Sequence, residues 1–144
     1  MEKVSKDSNR QTIWDELRKK YVALTPEESI RQQFISHLIH TKSYSPTLMA
    51  NEVTINVNGL SRRCDTVVYN QHLQPRMIIE YKRSDVEITE KVFNQIFRYN
   101  IPLKVEWLTI SNGRELFCCR INYETMMPEF LNDLPSWEEI NREI

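Results

Sequence analysis

The stretch Arg76-Met77-Ile78-Ile79-Glu80-Tyr81-Lys82 decides how the chain is read. Its apolar centre reads as a buried strand, and alternate residues of a strand share a face. Arg76, Ile78, Glu80 and Lys82 therefore line one side, with Met77, Ile79, Tyr81 and Arg83 on the other. A glutamate and a lysine on the face of a core isoleucine are costly unless they are paired or used. Upstream, residues 64–70 read as a second strand, joined through the polar connection Asn70-Gln71-His72-Leu73-Gln74-Pro75. A hairpin centred between His72 and Leu73 sets Asp65 directly opposite Glu80, where cross-strand Cβ atoms lie about 4.5–5.5 Å apart. Two carboxylates that close repel each other unless a cation lies between them. Mg²⁺ or Mn²⁺ suits the arrangement, because Mg²⁺ takes one or two carboxylates, keeps several waters and adds a substrate phosphate. Lys82, on the same face, can orient or help deprotonate an attacking water. On the residues alone, a cross-strand acid–lysine ion pair on a solvated sheet remains open as an alternative.

Outward from this hairpin, Val53, Ile55 and Val57 alternate with polar residues as a half-buried strand, and Asn58-Gly59 is a two-residue hairpin turn. Before it, Thr25 as N-cap, Pro26 in the first turn and Glu28 three residues after the cap mark a helix start, with the helix running to about residue 40. Ile30, Phe34, Ile35, Leu38 and Ile39 form its apolar half-circle, and Glu27, Glu28 and Arg31 fall inside that arc, whereas His37 and His40 face solvent. Glu28 can close the capping box with Thr25, and Arg31 can pair with the acids or with a phosphate. After the hairpin, Thr89 caps a helix to about residue 100 with Val92, Phe93, Ile96 and Phe97 in one arc. Gln95 and Tyr99 sit at the edge of that arc, and Lys91 and Arg98 just outside it. Residues 105–111 and 115–122 read as strands around Asn112-Gly113, and Pro128, Pro135 and Trp137 suggest a short helical or irregular cover. The spacing Ile13, Leu17, Tyr21 predicts a peripheral helix in an N-terminal extension, residues 1–24, whose first ten residues are expected to be disordered. The expected fold is thus one mixed α/β (α+β) domain, residues 25–144, ordered helix, three-strand meander, helix, strand, extra strand, irregular cover.

The length of 144 residues suits one such domain. Two glycines leave no room for a glycine-rich phosphate loop, so no nucleotide cofactor is expected. No apolar run approaches the roughly 18 residues of a membrane span, and the N-terminus lacks a leader-like apolar stretch, so a cytoplasmic protein without membrane contact is expected. The net charge of −1 does not decide nucleic-acid binding, which needs a local basic patch. Cys64, Cys118 and Cys119 have no metal-site spacing and read as reduced packing residues, the adjacent pair pointing to opposite faces.

Asp65 followed by Glu80-Tyr81-Lys82 at the end of an apolar strand resembles the PD-(D/E)XK nuclease motif, and the element order resembles the restriction-endonuclease-like core. More closely, Thr25-Pro26-Glu27-Glu28, Arg63-Cys64-Asp65-Thr66-Val67-Val68-Tyr69-Asn70 and the segment from Gln95 to Asn100 resemble the N-terminal nuclease domain of type I restriction enzyme R subunits, over about residues 20–131. The resemblance implies hydrolysis of DNA phosphodiesters by Asp65, Glu80 and Lys82, with Mg²⁺ or Mn²⁺ held by Asp65, Glu80 and the helix acid Glu28. Gln95 and Tyr99 match a Q-x-x-x-Y motif whose implied role is to support the site. Arg31, Arg63, Arg83, Lys91 and Arg98, with Arg62 and Lys104 nearby, are candidate phosphate contacts, which position a duplex without reading bases. Cys64 stands where the motif usually has proline, and the resemblance does not extend to a motor, so ATP hydrolysis and translocation are not implied. The alternative is a catalytically silent nuclease-fold module that binds nucleic acid or a protein partner. A protein partner or a homodimer is compatible with either reading.

Overall fold

Thr25 accepts the Glu28 N–H at 3.1 Å and Pro26 fills the first turn, which starts helix α1 (Pro26–His40) where the capping signal predicts. The computed structural model describes residues 4–7 and 10–144, with side chains from residue 11 onward. After α1, strands β4 (Met49–Val57), β5 (Leu60–Tyr69) and β6 (Pro75–Tyr81) form the meander. Asn58 and Gly59 both take positive φ, 49° and 80°, as a type I′ turn requires. Helix α2 (Glu90–Asn100), capped by Thr89, then crosses over to β7 (Trp107–Ser111), which lies parallel to β6. Strands β8 (Leu116–Asn122) and β9 (Met127–Phe130) complete a sheet of order β4-β5-β6-β7-β8-β9, antiparallel except at β6–β7. This is the mixed α/β sandwich expected from the sequence.

Each face of the sheet carries its own core. Val67, Ile78, Leu108, Ile110 and Cys119 pack against Phe93, Ile96 and Phe97 of α2. Val68, Met77, Ile79, Tyr81 and Cys118 pack against Ile30, Ile35 and Leu38 of α1 and against Ile140 of the short helix α3 (Trp137–Ile140). Cys118 and Cys119 thus serve opposite faces, and all three cysteines are buried and free. No helix among the described residues is long and apolar enough to cross a membrane.

Three expectations are corrected. The peripheral helix is a second sheet: β1 (Val4–Asp7), β2 (Arg10–Asp15) and β3 (Lys20–Ala23) form an antiparallel meander. The apolar spacing there reflects cross-strand pairs, Ile13 beside Val22 and Trp14 beside Tyr21, the latter edge-to-face at 5.1 Å. Asp15 makes the turn by accepting the N–H groups of Leu17 and Arg18 at 2.9 and 3.0 Å, a side-chain competitor to helix. Of the segment expected to be disordered, residues 4–7 are strand, and residues 1–3, 8 and 9 lie outside the described residues. The C-terminal cover likewise contains a strand, β9, reached by a turn with no Asn-Gly signal in which Asn122 Oδ1 accepts the Glu124 and Thr125 N–H groups at 2.9 and 3.2 Å. Pro128 fits β9 because the strand is an edge, where a missing N–H leaves no ladder bond unmade.

Gly59 and Gly113 test the two hairpin turns differently. Both have positive φ, so alanine at either costs about 1 kcal/mol in backbone strain. A Cβ at Gly59 meets open space, whereas one at Gly113 lies 3.2 Å from Ile30 Cγ1 of α1. Gly113→Ala is therefore expected to lose about 2 kcal/mol or more and Gly59→Ala about 1, compared by urea unfolding. Equal losses would show that Ile30 yields without cost.

Candidate active site

β5 and β6 pair from Val68 and Met77 to Thr66 and Ile79, then separate. Beyond that level β5 follows β4 alone, while β6 follows β7, with Glu80 beside Ile110 and Tyr81 beside Ser111. The same register carried one residue further sets Asp65 against Glu80, as the hairpin reading requires. Asp65 stands in the fork. Its Oδ2 accepts the Tyr81 N–H at 2.9 Å in place of a ladder bond, and its backbone carbonyl accepts from Arg31 Nη1 at 2.7 Å. Lys82, just past the strand, is fixed by its N–H to the Ser111 carbonyl at 2.9 Å.

β4 is distorted at the same level. Asn51 pairs with Thr66 and Val53 with Cys64, but Glu52 and Asp65 between them do not pair, and Glu52 holds a φ of 55°. The alternation of side chains breaks there. Cys64 joins the core under α2 with Val53 against it, whereas Thr66 donates to Asn51 and accepts from the Tyr81 hydroxyl on the α1 side. A left-handed non-glycine residue of this kind costs on the order of 1–3 kcal/mol and persists only where its surroundings hold it. Here the holders are Arg31, 2.6 Å from the Glu52 carboxylate, and Arg63, 3.0 Å from it. Burial alone would raise the Glu52 pKa, but these two guanidinium groups outweigh it and keep the carboxyl below its ordinary range.

A cleft of about 450 Å³ opens between the fork and α2, lined by Asp65, Glu80 and Lys82 together with Gln95, Tyr99 and Arg63. The strand motif and the helix edge, separate in sequence, thus meet in one place. Glu80 Oε1 is buried there with no hydrogen-bond partner. Burial first, and then the charge of Asp65, push the Glu80 carboxyl up to about 9, and Lys82 offsets only part of this. Burial, followed by the same two acids, pushes the Cys64 thiol up to about 12. A buried carboxylate oxygen without a donor, beside a second carboxylate, is a position that a hard cation satisfies, so the residues present fit Mg²⁺ or Mn²⁺. Among the described residues no three His, Cys, Asp or Glu side chains are placed to share one ion. Two carboxylates completed by water and phosphate oxygens accord with the habits of Mg²⁺.

Glu28 does not join them, which corrects its expected place among the metal ligands. Its carboxylate is held by Arg18 Nη2 at 3.1 Å, Arg31 Nε at 3.0 Å and Gln32 Nε2 at 3.0 Å, so it neither closes the capping box nor lines the cleft. Arg31 is likewise corrected as a phosphate contact. It is 6% exposed, its guanidinium is shared among Glu28, Glu52 and the Asp65 carbonyl, and it lies 5.7 Å from the Tyr81 ring centre. The other candidate cations are spread around the cleft. Arg63 is at its wall, Arg62 stacks over the exposed Tyr99 ring at 4.8 Å, and Lys91 and Arg98 line an adjoining groove that shares Gln95. Arg83 is exposed and paired with Asp85 at 2.9 Å, and Lys104 lines a different pocket with Arg76 and Glu106. Glu52, which the sequence reading does not single out, does not line the cleft but pairs with Arg31 and with Arg63 of the cleft wall. The Asn58-Gly59 turn contains the signal, since counting back from it in register sets Glu52 opposite Asp65.

The family described as type I restriction enzyme R protein N terminus (HSDR_N) matches residues 26–135. The chain belongs to this family. The match begins at the first residue of α1 and runs past β9, so it contains the whole six-stranded sheet, α2 and every residue lining the cleft. No curated protein matches the chain at a significant level. As an R-protein N-terminal domain, the chain is a restriction-enzyme-type, nuclease-like domain, which is the family that the strand motif resembles.

Proposed function

We propose that this R-protein N-terminal domain is a Mg²⁺- or Mn²⁺-dependent nuclease that hydrolyses DNA phosphodiesters in the cleft of Asp65, Glu80 and Lys82. The observation that carries the reading is the donorless, buried Glu80 oxygen next to Asp65 at the strand fork, with a lysine in the same cleft. Asp65 and Glu80 would hold the cation, and Glu28, engaged by two arginines, would not. The chemistry such a cation supplies is acidification of water and neutralisation of charge developing on the phosphate. Lys82 Nζ orients the attacking water and takes part in its deprotonation. Gln95 and Tyr99 on α2 form the opposite wall, where an amide and a phenol can hydrogen-bond the substrate backbone. Three buried free thiols suit a reducing compartment, which supports a cytoplasmic setting.

Plasmid cleavage in the presence of Mg²⁺ or Mn²⁺ tests the proposal. Absence of cleavage of DNA and RNA with either ion, in a protein that still binds DNA, would establish the silent binding module instead. The basic groups around the cleft make a separate prediction. Arg63→Ala, Lys91→Ala and Arg98→Ala are each expected to weaken DNA binding and to flatten the salt dependence of the association constant by about one unit of slope. Arg83→Ala, which is not part of the cleft lining and is paired with Asp85, is expected to leave that slope unchanged. Fluorescence anisotropy over a salt series reads both, and an unchanged slope in all four variants would place the substrate path elsewhere.

A further inference from the structure

The three-stranded N-terminal sheet lies outside residues 26–135, yet two chains of hydrogen bonds lead from its β2–β3 turn to the cleft. The first begins at Asp15, fully buried, whose carboxylate accepts from Asn51 Nδ2 at 3.1 and 3.2 Å. Asn51 Oδ1 accepts from the Thr66 hydroxyl at 2.7 Å, and the Thr66 oxygen accepts from the Tyr81 hydroxyl at 3.0 Å. Tyr81 is the residue between Glu80 and Lys82, and its N–H is the donor to Asp65 Oδ2. The second begins at Arg18, which bonds Asp15 and reaches Glu28 at 3.1 Å. Glu28 pairs with Arg31, and Arg31 holds both the Asp65 carbonyl and the Glu52 carboxylate.

We infer that Asp15 and Arg18 are positioning residues for the proposed metal site, so that the N-terminal sheet is a working part of it and not an appendage. The inference rests on the reading of Asp65 and Glu80 as metal ligands. Its physical basis is that both chains end on groups that orient Asp65. One runs through the strand that carries Glu80 and Lys82, and the other through the arginine that keeps Glu52 in its left-handed backbone. Every side chain along the chains is buried or half-buried. Outer partners of this kind fix the direction of metal-binding carboxylates, and their loss typically weakens metal binding by about 10–100-fold.

The test compares Asp15→Asn, Arg18→Gln and Tyr81→Phe with the wild-type chain, using Lys19→Ala as a control in the same turn. Among the described residues the Lys19 side chain pairs with Glu16 at the surface, and its backbone N–H bond to the Asp15 carbonyl at 2.8 Å is one that alanine keeps. Mn²⁺ affinity is measured from the free-ion electron paramagnetic resonance signal, and hydrogen exchange of the Tyr81 amide is followed in the metal-free proteins. The expected result is about tenfold weaker Mn²⁺ binding in all three variants and faster exchange of the Tyr81 amide, with Lys19→Ala at wild-type values. Should Asp15→Asn fail to fold, Arg18→Gln and Tyr81→Phe decide. Folded variants with wild-type Mn²⁺ affinity and wild-type Tyr81 exchange would overturn the inference while leaving the metal site standing. A wild-type chain that binds no Mn²⁺ would instead overturn the reading of the site, and the exchange data would then report only whether the two chains orient Asp65.

Discussion

Asp65→Asn and Lys82→Met are expected to leave the fold intact and to lower the cleavage rate by about 10³-fold or more, roughly 4 kcal/mol of transition-state stabilisation. The choice of Asn matters. Asp65 Oδ2 accepts the Tyr81 N–H where β5 and β6 part, and alanine would leave that amide without its acceptor. Asparagine keeps a carbonyl oxygen for the bond and removes the charge, so a loss of cleavage reports on chemistry and not on the fork. Methionine at position 82 keeps the aliphatic stem of lysine and removes the ammonium. The two variants differ in a second measurement. Asp65→Asn is expected to lose the rise in thermal midpoint that Mn²⁺ gives the wild-type chain, because a ligand that binds only the folded state stabilises it by mass action. Lys82→Met is expected to keep that rise. Equal cleavage by wild type and both variants would mean that another group performs the reaction.

Glu80→Gln is expected to stabilise the metal-free protein at neutral pH, by about 1–3 kcal/mol, or roughly 3–10 °C in thermal midpoint at this chain length. Glu80 is buried, carries an oxygen without a donor, and faces Asp65; its carboxyl is pushed up to about 9 by burial and by that charge. The folded chain therefore retains a proton that the unfolded chain has released. Stability contributed by this group is full below the unfolded value, near 4.5, and is lost as pH rises toward about 9. The glutamine variant lacks this slope, so the gap between the two proteins should widen from about pH 5 to about pH 9. Saturating Mn²⁺ should reverse the order, since the cation compensates the two carboxylates of the wild type and gains nothing comparable from the amide. A glutamine variant less stable than wild type at every pH without metal would show that Glu80 makes a stabilising contact in the folded chain. An ion-pair network satisfied by its own lysine would show neither the widening gap with pH nor its reversal by Mn²⁺.

Five strands of the six-stranded sheet were legible in sequence because their signals are local. Thr25-Pro26 and Thr89 are caps that work through bonds within one turn, and Asn58-Gly59 selects its turn by backbone conformation alone. Val92, Phe93, Ile96 and Phe97 announce the buried side of α2 by their spacing. Where two local signals competed, the reading failed. Ile13, Leu17 and Tyr21 fit a helical stripe, but Asp15 captures the backbone of its own turn and Trp14 finds Tyr21 across a hairpin. β9 has no turn signal beyond Asn122, and only the free edge of β8 makes a strand of it.

For Asp65, Glu80 and Lys82 the sequence by itself determined the hairpin that carries them and the shared face of Glu80 and Lys82, but not the register, which a bulge between Val68 and Tyr69 shifts by one residue. It also determined that Gln95 and Tyr99 share an edge of α2. That this edge closes over the strand fork to make a cleft was decided by the tertiary structure alone, since it depends on how the crossover from β6 to β7 lays α2 on the sheet. The fate of Glu28 and Arg31 was decided there too. Both sit on the apolar arc of α1, where a metal, a phosphate or a neighbouring charge are equal partners on paper. The folded chain brings Arg18, Glu52 and the Asp65 carbonyl within reach, and buried charges take the nearest opposite partner because water is not available to them.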